Sequence, residues 1–326
     1  MKIFFKTFFV VFIGLIAFYL AFKNVDYEQS LKAYQNTSLG LQVAVFLCFF
    51  LTHILRTLRW KYLQEDLNDV PVLDVYAIHS IGFLGIFILP FRLGELVRPG
   101  LLKKKYATPI SKTVTYVFIE RIWDGIVVCG LFFLGVEMSL KQGLILSSEQ
   151  SAKIAFYLNN GLLLFLGLSM FLLLATWVIQ KKQHKLTKYF FWNRYGQHIL
   201  KALAIVLSSK KSLIVFFYSV LIWVSAVGGY WLMFKAYQFP LGFFAAMSVL
   251  GLLSLGLMIP GPPGFIGTFH FFIQISLAIF LIDVNHAIAY ASSLYLINGC
   301  YIILSGLWGS WYMSIKIKEI KNLTRS

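Results

Sequence analysis

The sequence predicts an all-α polytopic membrane protein, and three observations carry that reading. Apolar residues make up 59% of the chain and charged residues only 13%, and the mean hydropathy of +0.76 is far above what a soluble domain carries. Several uninterrupted apolar stretches reach the ~20 residues that cross a hydrocarbon core. They are continuous runs, not the alternating segments of roughly ten residues that build an outer-membrane barrel. About six to eight transmembrane helices plus re-entrant segments account for them.

The net charge of +16 does not point to nucleic acid. Most Lys and Arg sit between hydrophobic runs, as expected of cytoplasmic loops facing anionic headgroups. Cys48, Cys129 and Cys300 lie far apart inside apolar runs and read as small buried hydrophobes. No His, Cys, Asp or Glu set has metal-ligand spacing, and no phosphate-binding P-loop or serine nucleophile elbow occurs. Neither a metal, a cofactor nor a catalytic residue is expected.

The chain divides in order as follows. Lys2 and Lys6 precede an apolar helix over about 3–22, an uncleaved signal anchor that leaves the cytoplasm. The balanced loop Lys23–Ser38 is external. A second helix over Leu39–Leu55 returns and ends in the basic, aromatic cluster Arg56, Arg59, Trp60 and Lys61. The apolar run Val72–Leu89 then starts inside, yet the charges beyond Pro90 (Arg92, Arg98, Lys103, Lys104, Lys105) also belong inside. A full crossing would strand them, so a re-entrant hairpin turning near Pro90 is expected, its irregular backbone covered by protein or water. A spanning helix over Thr113–Val136 follows, then one over Gly161–Ile179. The segment 180–211 is the most basic connection, interleaved with aromatics, and reads as an interfacial helix or a plain cytoplasmic linker. Helices over Ser212–Lys235 and Ala287–Met313 flank an apolar run, Leu241–Ile259, that is broken by Pro260, Gly261, Pro262, Pro263, Gly264 and Gly267. Both termini are placed in the cytoplasm.

The whole of 1–326 is expected to form one membrane domain of two halves, about 39–137 and 212–313, joined by 180–211. Each half holds a Pro/Gly-broken apolar segment, and the flanking charges give the halves opposite directions. Such interrupted segments at matching places in inverted halves point to a midplane transport site.

Within this frame, Arg92, Glu95 and Arg98 recur every three residues and share a helical face. Arg92 and Arg98 are candidate phosphate ligands or interfacial anchors. Glu95 either orients them, forms a salt bridge, or meets a cationic headgroup. Glu120, Arg121 and Asp124 lie inside an apolar helix, where charges either serve function or satisfy one another or Arg92 and Arg98. Gly94, Gly261, Gly264 and Gly267 suit tight turns and close backbone approach. His270 and Gln274 read first as polar contacts between helices.

The segments RTLRW at 56–60, LPFRLGELVRPGLL at 89–102, ERIWD at 120–124 and IPGPPGFIGTFH at 259–270 together resemble the lysylphosphatidylglycerol synthase transmembrane region, the flippase-like module of the multiple peptide resistance factor. The resemblance covers nearly the whole chain, in order. It implies a lipid-handling, flippase-like protein of the cell membrane whose headgroup contacts come from Arg92, Gly94, Glu95, Arg98, Glu120, Arg121, Asp124, Pro260, Gly261, Gly264, Gly267 and His270. Membrane lipids, and a lipid-synthesis enzyme, are the implied partners. In full-length relatives a separate soluble domain transfers lysine or alanine from tRNA to phosphatidylglycerol. This chain ends soon after its last helix, so that activity is not expected of it. Members often close the last motif with an acidic residue, where His270 stands here. A membrane-embedded glycosyl or lipid-modifying transferase and a non-catalytic partner of a lipid synthase are the alternatives.

Overall fold

The structure, a computed structural model, describes residues 12, 14–143, 209–258, 261–315 and 319, and of 90–92 and 209–210 the backbone alone. The helix expected over 161–179, most of the basic connection 180–211, Pro260 and the side chain of Arg92 lie outside the described residues. Every described regular element is helical, as an all-α polytopic membrane protein requires.

Residues 14–22 form α1. It is followed by α2 (Tyr27–Gln35), α3 (Leu39–Leu63), α4 (Val72–Ile88), a 3-10 segment (Pro90–Leu96), α5 (Val97–Tyr106) and α6 (Ile110–Lys141). The second half comprises α7 (Ser209–Ala236), α8 (Phe243–Gly256), a 3-10 turn (Pro263–Phe265), α9 (Thr268–Ala278) and α10 (Val284–Tyr312). Among the described residues, α3, α7 and α10 are long and apolar enough to span a bilayer. At 32 residues α6 is longer still, but Glu120, Arg121 and Asp124 interrupt its apolar surface.

Several expected boundaries differ, with α6 running from Ile110 to Lys141 in place of Thr113 to Val136. The loop 23–38 contains α2, whose first turn is capped by the Asp26 carboxylate accepting from the Glu28 and Gln29 N–H groups. The helix expected to stop at Leu55 runs eight residues further, to Leu63. Arg56, Arg59 and Trp60 therefore project from the last eight residues of α3 itself, not from a loop beyond it. That is tolerable because α6 brings carboxylates to meet them.

Helices α4 and α8, at 17 and 14 residues, rise only ~26 and ~21 Å, short of the ~30 Å hydrocarbon core. Each ends at a break and the chain doubles back. Leu89, ahead of Pro90, is extended at φ −91°, ψ 138°, because the proline ring disfavours helical backbone before it. The 3-10 segment then folds directly onto α4. A Cβ at Gly94 would lie 2.0 Å from the Ile86 backbone nitrogen, so no side chain fits there. Helix α5 continues back along α4 until the Tyr106 hydroxyl donates to Asp74 in the first turn of α4. In the second half, Gly264 and Gly267 take φ of +66° and +83°, in the left-handed region open to glycine. After α9 the chain returns to the level where α8 began, with Phe239 against His286 and Tyr290.

The two hairpins open at opposite faces. The first opens beside Asp74, which accepts from Tyr312 at the end of α10. Around the same face Lys112 pairs with Asp66 at 2.9 Å and Lys211 pairs with Glu65. The second hairpin opens beside the start of α10, where Asn285 joins α2 through Asp26, Gln29 and Ser30. There Asp283 caps α10; burial pushes its carboxyl up, but the Asn285 N–H and His286 outweigh this and hold it below the usual range.

The packing has a matching internal symmetry. Exchanging α3 with α7, α4 with α8, α5 with α9 and α6 with α10 turns most of the contacts among these eight helices into one another. The pair α6–α8 becomes α10–α4, the pair α6–α7 becomes α10–α3, and α3–α7 maps onto itself. Among the described residues the largest apolar cluster lies mostly in the second half, around Phe234, Ala246 and Tyr290, with Val45 and Phe49 of α3 packed into it.

Candidate headgroup site

The two breaks meet one cavity. It has a volume of about 520 Å³ and lies between α3, α4, α6, α7, α8 and α10. Glu95 of the first break and Gly264 and Phe265 of the second line it together. Most of its wall is apolar, including Phe87, Leu250, Leu253 and Phe269; its charged lining, Arg56, Glu95, Arg121 and Asp124, lies toward the first break.

Behind that charged end sits a buried ion-pair network. Helix α6 presents Glu120 and Asp124, four residues apart on one face, toward α3. Arg59 donates to both Asp124 oxygens, at 2.5 and 3.0 Å, in the two-pronged geometry that guanidinium and carboxylate share. It also donates to the Ser219 hydroxyl at 2.7 Å and lies 3.5 Å from Glu120. Trp223 Nε1 donates to Asp124 at 3.0 Å. Arg98, from α5, donates to the other Glu120 oxygen at 3.1 Å and covers the Trp60 ring at 5.0 Å. Arg59, Arg98, Glu120 and Asp124 are 2, 2, 3 and 5% exposed, so these charges are neutralised by each other and not by water.

Arg121, about 100° around α6 from that face, turns instead to Glu95 at 3.1 Å. Arg56 differs from all of these. Its guanidinium lies between the faces of Phe83, at 5.5 Å, and Trp223, at 5.4 Å. Among the described residues no carboxylate reaches it, and its Nε is buried without a hydrogen-bond partner. Beside it, His53 lines the cavity with Nδ1 unpartnered and its ring against Tyr301.

The residues singled out from sequence therefore separate. Glu95, Arg121, Asp124 and Gly264 line the cavity. Arg98 and Glu120 stand behind it, tying the first hairpin to α6 through α3. Gly94 sets the close approach of the 3-10 segment to α4. Gly261 abuts Phe265 and Thr268, and Gly267 abuts α1 at Gly14 and Phe18. His270 is buried among Phe22, Phe269 and Tyr295 rather than on the cavity wall. Arg56, Arg59, His53 and Trp223 were not among the predicted site residues. The sequence signal for the arginines is their three-residue spacing, which puts them on one helical face but does not distinguish an interfacial helix end from a buried network.

A family model described as Lysylphosphatidylglycerol synthase TM region matches residues 7–309. No curated protein and no solved structure matches the chain.

Proposed function

The chain belongs to the lysylphosphatidylglycerol synthase TM region family, and from that premise we propose that it carries the polar headgroup of a lipid, or of a lipid-linked phosphate, across the cytoplasmic membrane as a flippase-like transporter. The observation that carries this reading is the single cavity shared by two broken helices that open at opposite faces. A transporter must present one site to each side in turn, and inverted halves supply two equivalent gates around it. A cavity charged at one end and apolar over most of its wall suits an amphiphile. In this reading the basic face, with Lys104, Lys105 and Lys112, is cytoplasmic.

The transferase alternative requires a carboxylate free to take a proton or hold a metal. Glu95, Glu120 and Asp124 each already face a guanidinium, so no observation favours it. A purely accessory role is separated from transport by whether the protein moves lipid alone.

Gly125 lines the cavity and has open space where a Cβ would stand, so Gly125→Trp fills the cavity without removing any charged group. In proteoliposomes holding a fluorescent phospholipid, wild-type protein is expected to move label between leaflets, and Gly125→Trp, folded and monodisperse, is expected to lose that movement. Equal transport by the plugged variant would overturn the proposal.

A further inference from the structure

Resting on the transport reading above, we infer that the headgroup this cavity takes bears a phosphate-type negative charge and no amine, and that Arg56 is its ligand. The first support is a charge inventory. Among the described residues around the charged end there are four guanidiniums, Arg56, Arg59, Arg98 and Arg121, against three carboxylates, Glu95, Glu120 and Asp124. Each carboxylate lies within ion-pair distance of a guanidinium other than Arg56. The described cluster is thus one positive charge in excess, and a single anion at Arg56 completes it.

The second support is how Arg56 is held. The Arg56 guanidinium carbon lies over the Phe83 and Trp223 rings, 5.5 and 5.4 Å from their centroids, in cation–π contact with both. Contact with an aromatic face leaves the edge N–H donors unused, and those donors match phosphate oxygens in number and direction. Arg59, three residues along the same helix, is held the opposite way: its edge is consumed by Asp124 and Ser219. One arginine is arranged as structure and the other as a ligand in waiting. Trp223 joins them, offering its ring face to Arg56 while its Nε1–H donates to Asp124.

The third support concerns what an amine would meet. Toward the second break the polar lining is neutral, from Ser254, Tyr295 and Asn298, and the Ser254 hydroxyl is already bonded to the Leu250 carbonyl. An ammonium in the cavity would find Arg56 and Arg121 and no uncommitted carboxylate among the described residues. Both like-charge repulsion and desolvation oppose it. The volume of about 520 Å³ accommodates a phosphoglycerol-sized group with the start of its acyl chains.

Calorimetric titration of the full chain in detergent tests this, using dihexanoyl phosphatidylglycerol, dihexanoyl phosphatidylethanolamine and soluble glycerol 3-phosphate as probes. The expected result is that phosphatidylglycerol binds about tenfold or more tightly than phosphatidylethanolamine, and that Arg56→Gln removes that preference while Arg56→Lys keeps part of it. Equal binding of the two lipids by wild-type protein, a comparison that needs no variant to fold, would overturn the inference. So would an unchanged preference in folded Arg56→Gln. Glycerol 3-phosphate binding as tightly as phosphatidylglycerol would keep the charge assignment but move its source from lipid to free phosphate. Selective binding without any leaflet exchange in proteoliposomes would sink the transport reading and leave this one standing. Exchange of both lipids at equal rates would do the reverse.

Discussion

The two helix breaks occupy equivalent places in the inverted halves, yet they are built from opposite chemistry. The first is held by charge. Its α5 brings Arg98 into a buried network with Arg59, Glu120 and Asp124, and its 3-10 segment brings Glu95 to a separate, partly exposed pair with Arg121. The second is held by shape. Pro262, Pro263 and the left-handed Gly264 and Gly267 turn the chain, and His270 packs among aromatic rings. The same backbone plan thus yields a polar pole and a neutral pole in one cavity. In the transport proposal, symmetry would supply the gates, and broken symmetry in side chains would supply the direction in which a headgroup is held.

This contrast can be broken most severely at the first break's network. Asp124→Ala leaves Arg59 buried without its two-pronged partner, and a cost of about 3–5 kcal/mol is expected, read as a large fall in melting temperature in detergent. An unchanged melting temperature would mean that the network is not structural. Glycine substitutions come next. At Gly94 an added Cβ strikes the α4 backbone, whereas at Gly264 it meets the end of the Tyr295 side chain, which can move aside. Gly94→Ala should therefore cost about 2–3 kcal/mol, and Gly264→Ala about 1 kcal/mol from its positive φ. Equal melting temperatures for the two would erase the distinction between a packed break and a turned one.

The two arginines sharpen the comparison within one helix. Arg59→Gln should destabilise nearly as much as Asp124→Ala. Arg56→Gln removes no ion pair among the described residues and should shift stability by less than about 1 kcal/mol, while lowering lipid movement in proteoliposomes by about tenfold. The smallest effect is expected far from both breaks. Glu137 and Lys141 form an exposed pair one turn apart at the end of α6, and Glu137→Gln should change stability by less than about 0.5 kcal/mol.

Much of the architecture was legible because membranes constrain sequence strongly. An apolar run ending at a proline, with basic residues on both sides, predicts that the chain turns back, and the first hairpin does. The site was less legible. Arg59 meets Asp124 across 65 residues of chain, and no local pattern announces that pairing. Reading Arg56 and Arg59 as the end of a helix followed from expecting arginine at the interface. Once α6 supplies carboxylates, the helix can continue to Leu63. Which of the two arginines faces the cavity depends on the rotation of α3 against α7, which their spacing does not reveal. Helix α2 had a readable signal, Asp26 followed three residues later by Gln29, a capping pattern; its polar surface concealed it. Helical geometry alone puts Glu120 and Asp124, four apart, on one face of α6 and Arg121 on another, and the contacts of α6 divide them in that way.

The central claim is that both breaks serve one headgroup cavity with Arg56 at its charged pole. A cryo-electron microscopy structure in nanodiscs of phosphatidylglycerol tests it most directly. The account predicts a lipid with its phosphate within hydrogen-bond distance of the Arg56 guanidinium, between Phe83 and Trp223, and its chains running along Leu250, Leu253 and Phe269. A phosphate lodged elsewhere, or a cavity holding only water in that saturating lipid, would contradict it.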